Sequence, residues 1–332
     1  MSTPFANGFA GRVAVVTGGG TGMGRELVLK LTADGCDVAT CDVIKENLDE
    51  TARLVAASGN KGALLTHIAD VSDESQVVAF RDAVAKWRPA VNLLFNNAGI
   101  GGGGSFIHDS REGWERTFGV CFWGVYYNCR AFLDLVLASD AGHIINTSSV
   151  NGFWATIGPN VSHTSYSAAK FAVKGFTEAL ITDLRLNAPH VKASVVMPGH
   201  IGTSIVINSG KIQGADPKEM TPEQLDVVRQ RMSRQLRIDL SSVSDEDIRV
   251  GLIAQQEGFR DNAPVTAAEA ADVILAGVRN GEWRILVGED AKVLDEEVRK
   301  NPWNAYEPSF VDVLHARGQF LNLVRPAEQQ EG

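Results

Sequence analysis

Tyr166 and Lys170 stand four residues apart in Tyr-Ser-Ala-Ala-Lys, a spacing that on a helix puts both side chains on one face. A free tyrosine titrates at roughly pH 10 and is a poor base at neutral pH, but a nearby ammonium favours the phenolate. Such a pair could take a proton from an alcohol or return one to a carbonyl oxygen. Just upstream, the strand-like run His143-Ile-Ile-Asn-Thr-Ser-Ser149 ends in two hydroxyls. Neighbouring strand residues point to opposite faces, so only one of Ser148 and Ser149 can join the tyrosine.

Proton transfer of this kind needs a partner that carries the hydride, and the N-terminus offers a place for one. Thr17-Gly-Gly-Gly-Thr-Gly-Met-Gly24 follows the apolar run Val13-Ala-Val-Val16 and leads into a helical pattern. Glycines in a strand-to-helix turn let the backbone approach a pyrophosphate, and the helix start offers it unpaired N–H groups. Asp42 closes the next strand, where its carboxylate can accept from the adenosine ribose hydroxyls and repel a 2′-phosphate. No lysine or arginine lies between Gly18 and Gly24 to attract that phosphate. The expected cofactor is NAD rather than NADP. Arg25 follows the last glycine and is expected to point away.

The elements that must hold these residues alternate regularly. Strands are expected near residues 12–17, 37–41, 63–67, 91–95, 142–147, 191–197 and 283–287, with helices between them, which predicts a parallel sheet with right-handed crossovers. Residues 111–138 read as one long, very apolar helix. Residues 204–262 are polar and helix-prone, an excursion from the core. The run of glycines at 101–104 reads as a flexible loop tip. The tail beyond Pro302 has no strong pattern and could cover a neighbouring subunit or stay disordered.

With 332 residues, 44% hydrophobic and 21% charged, the chain can bury a large core. A net charge of −9 argues against a nucleic-acid partner. Cys36, Cys41, Cys121 and Cys129 show no metal-binding spacing and read as buried reduced thiols, so no metal is expected. No basic-then-apolar leader opens the chain and no apolar run is long enough to span a membrane, which makes a cytoplasmic protein the expectation.

The motifs together identify a family. TGGGTGMG, Asp42, Asp70-Val71, Asn-Asn-Ala-Gly at 96–99, Ser149, YSAAK and Pro-Gly-His-Ile-Gly-Thr at 198–203 stand in the order and near the spacing of the classical short-chain dehydrogenase/reductase family, which the chain resembles over about residues 11–203 and more loosely to Val287. The resemblance implies a single-domain α/β Rossmann fold with a doubly wound seven-stranded parallel sheet. Its core would be residues 11–203 and 264–300, with a long substrate lid at 204–262 and a C-terminal extension at 302–332. It implies an NAD-dependent oxidoreductase acting on a secondary alcohol or ketone. Tyr166 would be the general acid/base, Lys170 would assist it and hold the nicotinamide ribose, and Ser149, rather than Ser148, would hold the reacting oxygen. Gly18, Thr21, Gly22, Met23 and Gly24 would meet the pyrophosphate side, Asp70 and Val71 the adenine, and Asn97, Ala98 and Gly99 the adenosine ribose side. Ile201 and Thr203 would meet the nicotinamide carboxamide. The two long helices, 111–138 and 165–187, would pair between subunits of a homodimer or homotetramer.

Two departures from the family pattern stand out. The long helix of the family carries an asparagine in a motif like VNLxG; here Val120-Cys-Phe-Trp-Gly124 puts Cys121 in its place, a thiol with weak hydrogen-bonding power. The stretch between Ser149 and Tyr166 is longer than usual, and residues 153–163 would lie at the mouth of the site. His163 there is expected to be a solvated loop residue, and His200 a candidate for the pocket wall. Phe153, Trp154, Ile205, Val206 and Ile207 could line a pocket for a bulky apolar or aromatic substrate, or pack in the core. Two further readings share the motifs: a non-catalytic sensor of the NAD redox state, favoured only by Cys121, and an epimerase or dehydratase of nucleotide sugars, whose turn resembles TGxxGxxG rather than TGxxxGxG.

Overall fold

The computed structural model describes residues 3–102, 104–158, 161–236, 238–320 and 323. Nine strands follow in chain order: β1 (Val13–Thr17), β2 (Asp37–Asp42), β3 (Leu64–Ile68), β4 (Leu93–Asn96), β5 (Gly142–Thr147), β6 (Val191–Pro198), β7 (Ile201–Gly202), β8 (Val265–Thr266) and β9 (Arg284–Val287). Seven form one sheet in the order β3-β2-β1-β4-β5-β6-β9, with every neighbouring pair parallel. The chain is thus a single-domain, doubly wound α/β fold of the Rossmann type. Helices cover both faces, which is why β5 is buried along its whole length and reads as a continuous rather than alternating pattern. One face packs Phe80, Phe132 and Ile144, the other Phe9, Leu27 and Ile274. Strand order reverses between β1 and β4, and the loops after their carboxyl ends open the crevice in which such sheets bind ligands.

The long helix differs from its reading. It runs as helix over Arg111–Phe118, widens into a π-helical turn over Gly119–Trp123, and resumes over Gly124–Leu137. Gly124 lets the turn close on the neighbouring loop, since a Cβ there would stand 2.7 Å from Val71 Cγ2. The extra residue in the turn leaves the Cys121 thiol donating to the Ile100 carbonyl at 3.3 Å. Interruptions of this type gather at functional sites, and this one lies under the crevice.

The excursion folds as three helices, Ile205–Ile212, Pro222–Leu236 and Asp245–Asp261, around a small core of Leu225, Val228, Ile248 and Leu252. With so few apolar residues buried, no strong periodicity could show in the sequence.

The tail, in its described part, neither drifts free nor leaves its own chain. Its helix Phe310–Ala316 packs on Trp154 and Leu294, and Trp154 Nε1 donates to the Ala305 carbonyl at 2.7 Å. Tyr306 Oη accepts from the Ala155 N–H at 3.0 Å. Trp154 is therefore a packed anchor for the C-terminal extension. Replacing Trp154 with alanine should cost about 3–5 kcal/mol through the cavity left and the lost hydrogen bond. Thermal unfolding should show the drop, and limited proteolysis should show early loss of the tail.

Candidate active site

The glycine turn is built by exclusion of side chains. Gly18 adopts φ +70°, and a Cβ there would lie 2.9 Å from Ala98 Cα; one on Gly24 would lie 2.0 Å from the Gly18 carbonyl oxygen. Thr17 secures the turn to the loop after β4, its hydroxyl accepting from the N–H groups of Asn97 and Ala98, both at 3.0 Å. Asn97 Nδ2 donates back to the Thr17 carbonyl at 3.1 Å. The helix Gly22–Ala33 that follows has no side-chain cap at Thr21 and no acidic residue in its first turn, so its leading N–H groups stay available to an anion.

A cleft opens above this turn. Of the residues expected at a dinucleotide, Gly18, Thr21, Gly22, Met23, Asp42, Asp70, Val71, Asn97, Ala98, Gly99 and Thr203 line it. Gly24 lies beneath the turn, and Ile201 is buried in β7 with its side chain in the core, so neither has a side chain in the cleft. Asp42 accepts from the Gly20 N–H at 3.0 Å and the Ile44 N–H at 3.1 Å. Burial raises its carboxyl above the ordinary range, and the backbone N–H groups of Ile44, Gly20 and Val43 work the other way. Arg25 turns under the turn, donating to the Gly20 carbonyl, to Thr51 Oγ1 at 3.0 Å and to the Asn47 carbonyl at 3.2 Å.

Several lining residues carry no signal in the sequence. Arg116 pairs with Asp70 at 2.7 Å and donates to Ser72 Oγ at 2.6 Å. Burial opposes ionisation of Asp70, yet Ser72 and Arg116 together hold its carboxyl below the ordinary range. Asn208 of the lid helix Ile205–Ile212 donates to Thr21 Oγ1 at 3.0 Å, so the lid closes directly onto the glycine turn. Ser209 Oγ accepts from the Gly101 N–H at 2.7 Å, and Gln213 Nε2 donates to the Gly101 carbonyl at 2.9 Å. Gly101 is thus clamped by the lid; position 103 of the glycine run lies outside the described residues. Only long-range contacts define these roles, which is why spacing along the chain could not show them.

Ser149, Tyr166 and Lys170 do not themselves line this cleft but lie next to it, beyond Gly99. A Cβ built on Gly99 would stand 3.6 Å from Lys170 Nζ and 3.9 Å from Cys121 Sγ. Lys170 is buried and Nζ donates to the Thr147 carbonyl at 2.9 Å. Its ammonium carries three donors, leaving two for further acceptors. Nζ lies 5.4 Å from the centre of the Tyr166 ring. The two serines divide as strand geometry demands: Ser148 Oγ donates to the Lys170 carbonyl at 2.7 Å, whereas Ser149 Oγ accepts from the Asn151 N–H at 3.2 Å and lies on the Tyr166 side, where it favours the phenolate. Burial pushes the Tyr166 phenol above its ordinary value, with Cys121 adding to the effect and Ser149 opposing it. Burial pulls Lys170 down. Both shifts favour neutral forms, and a positive group placed against Tyr166 would favour the phenolate again.

Three expectations about the pocket wall change. His163 is not a solvated loop residue: its ring stacks on that of Tyr166, with centres 4.8 Å apart and planes 22° apart. His200 is tied elsewhere, its N–H donating to Asp290 at 2.7 Å and Nε2 lying 2.7 Å from the Phe259 carbonyl oxygen, so it joins β7 to the lid. Of the apolar candidates only Ile205 lines the cleft; Phe153 and Trp154 pack in the cluster under the C-terminal extension. Pro159 and Asn160 of the same stretch lie outside the described residues. All four cysteines are free and buried. Burial raises the thiols of Cys41 and Cys129 to about 12. Among the described residues no helix is long and apolar enough to cross a membrane.

A glycine cradle without room for side chains, an uncapped helix start, a carboxylate at the end of β2 and an ammonium with two spare donors fit a nicotinamide dinucleotide. The comparisons with known proteins agree. The family model described as short chain dehydrogenase matches residues 12–213. SadH of Mycobacterium tuberculosis, named as an oxidoreductase, is 34% identical over 287 residues, which cover 86% of this chain and 90% of that one. Levodione reductase of Leifsonia aquatica is 30% identical over 221 residues, 66% of this chain and 80% of its own. Among solved structures, a short chain dehydrogenase/reductase from Burkholderia phymatum in complex with NAD is similar with a TM-score of 0.68 and 28% identity, covering 88% of this chain and 95% of that one. A metagenomic short-chain oxidoreductase in complex with NADP is similar with a TM-score of 0.52 and 31% identity, covering 57% of this chain and 83% of that one. On its sheet order, its glycine turn and these matches, the chain belongs to the short-chain dehydrogenase/reductase family of nicotinamide-dependent oxidoreductases.

Proposed function

We propose that this protein interconverts a secondary alcohol and its ketone with NAD, the substrate being bulky and apolar or aromatic. The observation that carries the proposal is the grouping of Ser149, Tyr166 and Lys170 beside Gly99, which lines the cleft above the glycine turn. The bound nicotinamide accepts or gives the hydride. In the oxidation direction Ser149 holds the substrate hydroxyl by a hydrogen bond, and Tyr166 takes its proton as the carbon–hydrogen bond breaks. In the reverse direction Tyr166 returns the proton to the carbonyl oxygen. The spare donors of Lys170 hold the ribose, and its charge favours the tyrosinate. Closure of the helix Ile205–Ile212 over the cleft excludes water while hydride moves.

NAD rather than NADP is supported by Asp42, whose carboxylate lines the cleft at the end of β2 and would repel a 2′-phosphate. Arg25, the nearest cation in the sequence, is occupied by Gly20, Asn47 and Thr51. A homodimer or homotetramer is supported by the exposed Trp123, Tyr126 and Phe171 on the two long helices, an aromatic surface suited to a second copy. A cytoplasmic location fits a chain of this composition.

Tyr166→Phe should lower kcat by about 10²- to 10⁴-fold with NAD binding retained, measured by NADH absorbance and by calorimetric titration of NAD. Retained turnover would remove Tyr166 from the mechanism. Because burial raises the phenol, kcat/KM for oxidation should climb with pH through the alkaline range, while reduction, which uses the protonated phenol, should hold level at neutral pH and fall only when the phenol ionises. Asp42→Ala should weaken NAD and narrow or reverse the preference over NADP; an unchanged preference would separate cofactor choice from this carboxylate. Light scattering checks the assembly, and a sharp monomer peak would rule it out.

A further inference from the structure

Resting on the reading above, we propose that the C-terminal extension helps to build the catalytic site: through Asn151, Trp154 and Tyr306, which act as positioning residues, it sets the direction of the Ser149 hydroxyl.

Ser149 stands two residues past the end of β5, beyond the ladder that fixes the strand. Ser148 is secured by the Lys170 carbonyl. The bond that orients Ser149 Oγ is the one it accepts from the Asn151 N–H at 3.2 Å, where Ser149 caps the turn Val150–Gly152. That bond occupies one lone pair and leaves the hydroxyl hydrogen and the second lone pair for substrate and Tyr166. The turn therefore decides where the hydroxyl points.

The turn is held in its own right. Asn151 is buried, and its Nδ2 donates to the Trp154 carbonyl at 3.1 Å and to the Thr156 carbonyl at 2.7 Å. Both amide hydrogens are thus used within the loop, which makes residues 151–156 one closed unit. Among the described residues, both hydrogen bonds that join 151–158 to a distant part of the chain end on the extension. Trp154 Nε1 donates to the Ala305 carbonyl at 2.7 Å, and the Ala155 N–H donates to Tyr306 Oη at 3.0 Å. Packing follows the same path. Val150, the neighbour of Ser149, is buried in one cluster with Trp154, Ala305, Phe310 and Leu314. A loop past a strand end keeps its place only where something ties it down, and here the ties come from the extension. A reacting group misplaced by about 1 Å can lose on the order of 10²-fold in rate, so such ties bear on turnover.

The test cuts the ties and keeps the rings. Trp154→Phe removes the indole N–H and Tyr306→Phe removes the hydroxyl; NAD-dependent oxidation of secondary alcohols such as 1-phenylethanol is then followed by NADH absorbance. The double variant should lose about ten- to hundredfold in kcat, with NAD affinity by calorimetric titration equal to that of the wild type. Asn151→Ala should act alike, and Asn151→Ser, which keeps one donor, should recover part of the rate. The alkaline rise in oxidation should move to higher pH, because Ser149 favours the phenolate against burial. The other titratable groups facing the phenol, Cys121, His163 and Lys170, are unchanged in these variants. In a Ser149→Ala background the same cuts should add little, since no hydroxyl is left to place. Thermal unfolding shows that each variant is folded. Wild-type kcat in the double variant would overturn the inference while sparing the oxidoreductase reading. So would an equal loss with and without Ser149, or a parallel loss of NAD affinity, either of which would leave the extension a merely stabilising element. A wild type that turns over no alcohol or ketone would overturn both.

Discussion

The site is organised around an ammonium held inside the protein. A buried lysine without a carboxylate partner is costly, and it persists only where its donors are satisfied and its surroundings are rigid. Lys170 meets that condition through the Thr147 carbonyl at the end of β5, and its own carbonyl is bound by Ser148. Gly152 makes the approach possible, since a Cβ there would lie 2.3 Å from Ser148 Oγ and 2.9 Å from the Lys170 carbonyl oxygen. The helix that carries both Lys170 and Tyr166 is thereby fixed against the strand end that carries Ser149. Proton-handling groups held by the central strands of a packed sheet keep their geometry without help from substrate.

The dinucleotide side of the cleft is assembled by the same sheet. Thr17 at the end of β1 ties the glycine turn to Asn97 and Ala98 after β4, across the reversal of strand order. The two halves of the cleft are thus one hydrogen-bonded unit at the switch point. The lid helix Ile205–Ile212 adds a second span, from Thr21 on the glycine turn through Asn208 to Gly101 through Ser209 and Gln213. Contacts from this one short helix thus join the glycine turn to the loop after β4.

Where the family carries an asparagine, the π-helical turn presents Cys121 to the Ile100 carbonyl. A thiol makes one weak bond there and offers little to a proton path. The Tyr166 ring is also stacked by His163, from the stretch that lengthens the interval after Ser149.

The sequence by itself determined the sheet, the glycine turn and the convergence of motifs, because each rests on local physics. β-branched runs mark buried parallel strands, glycines mark turns with no room for a Cβ, and a four-residue interval marks one helix face. Tertiary structure alone decided everything that depends on contacts between distant segments. The hydroxyl of Ser148 finds its use only once the helix lies on β5, where it donates to the Lys170 carbonyl. Trp154 left the substrate wall for the C-terminal extension because Ala305 and Phe310 come back to meet it. His163 left solvent because its ring stacks on that of Tyr166. Arg116 and Asn208 entered the cleft from elements that carry no motif. Periodicity and propensity record how a segment relates to its neighbours in the chain; partners reached across the fold leave no trace at any fixed spacing, and those partners are what shape the substrate end of the site.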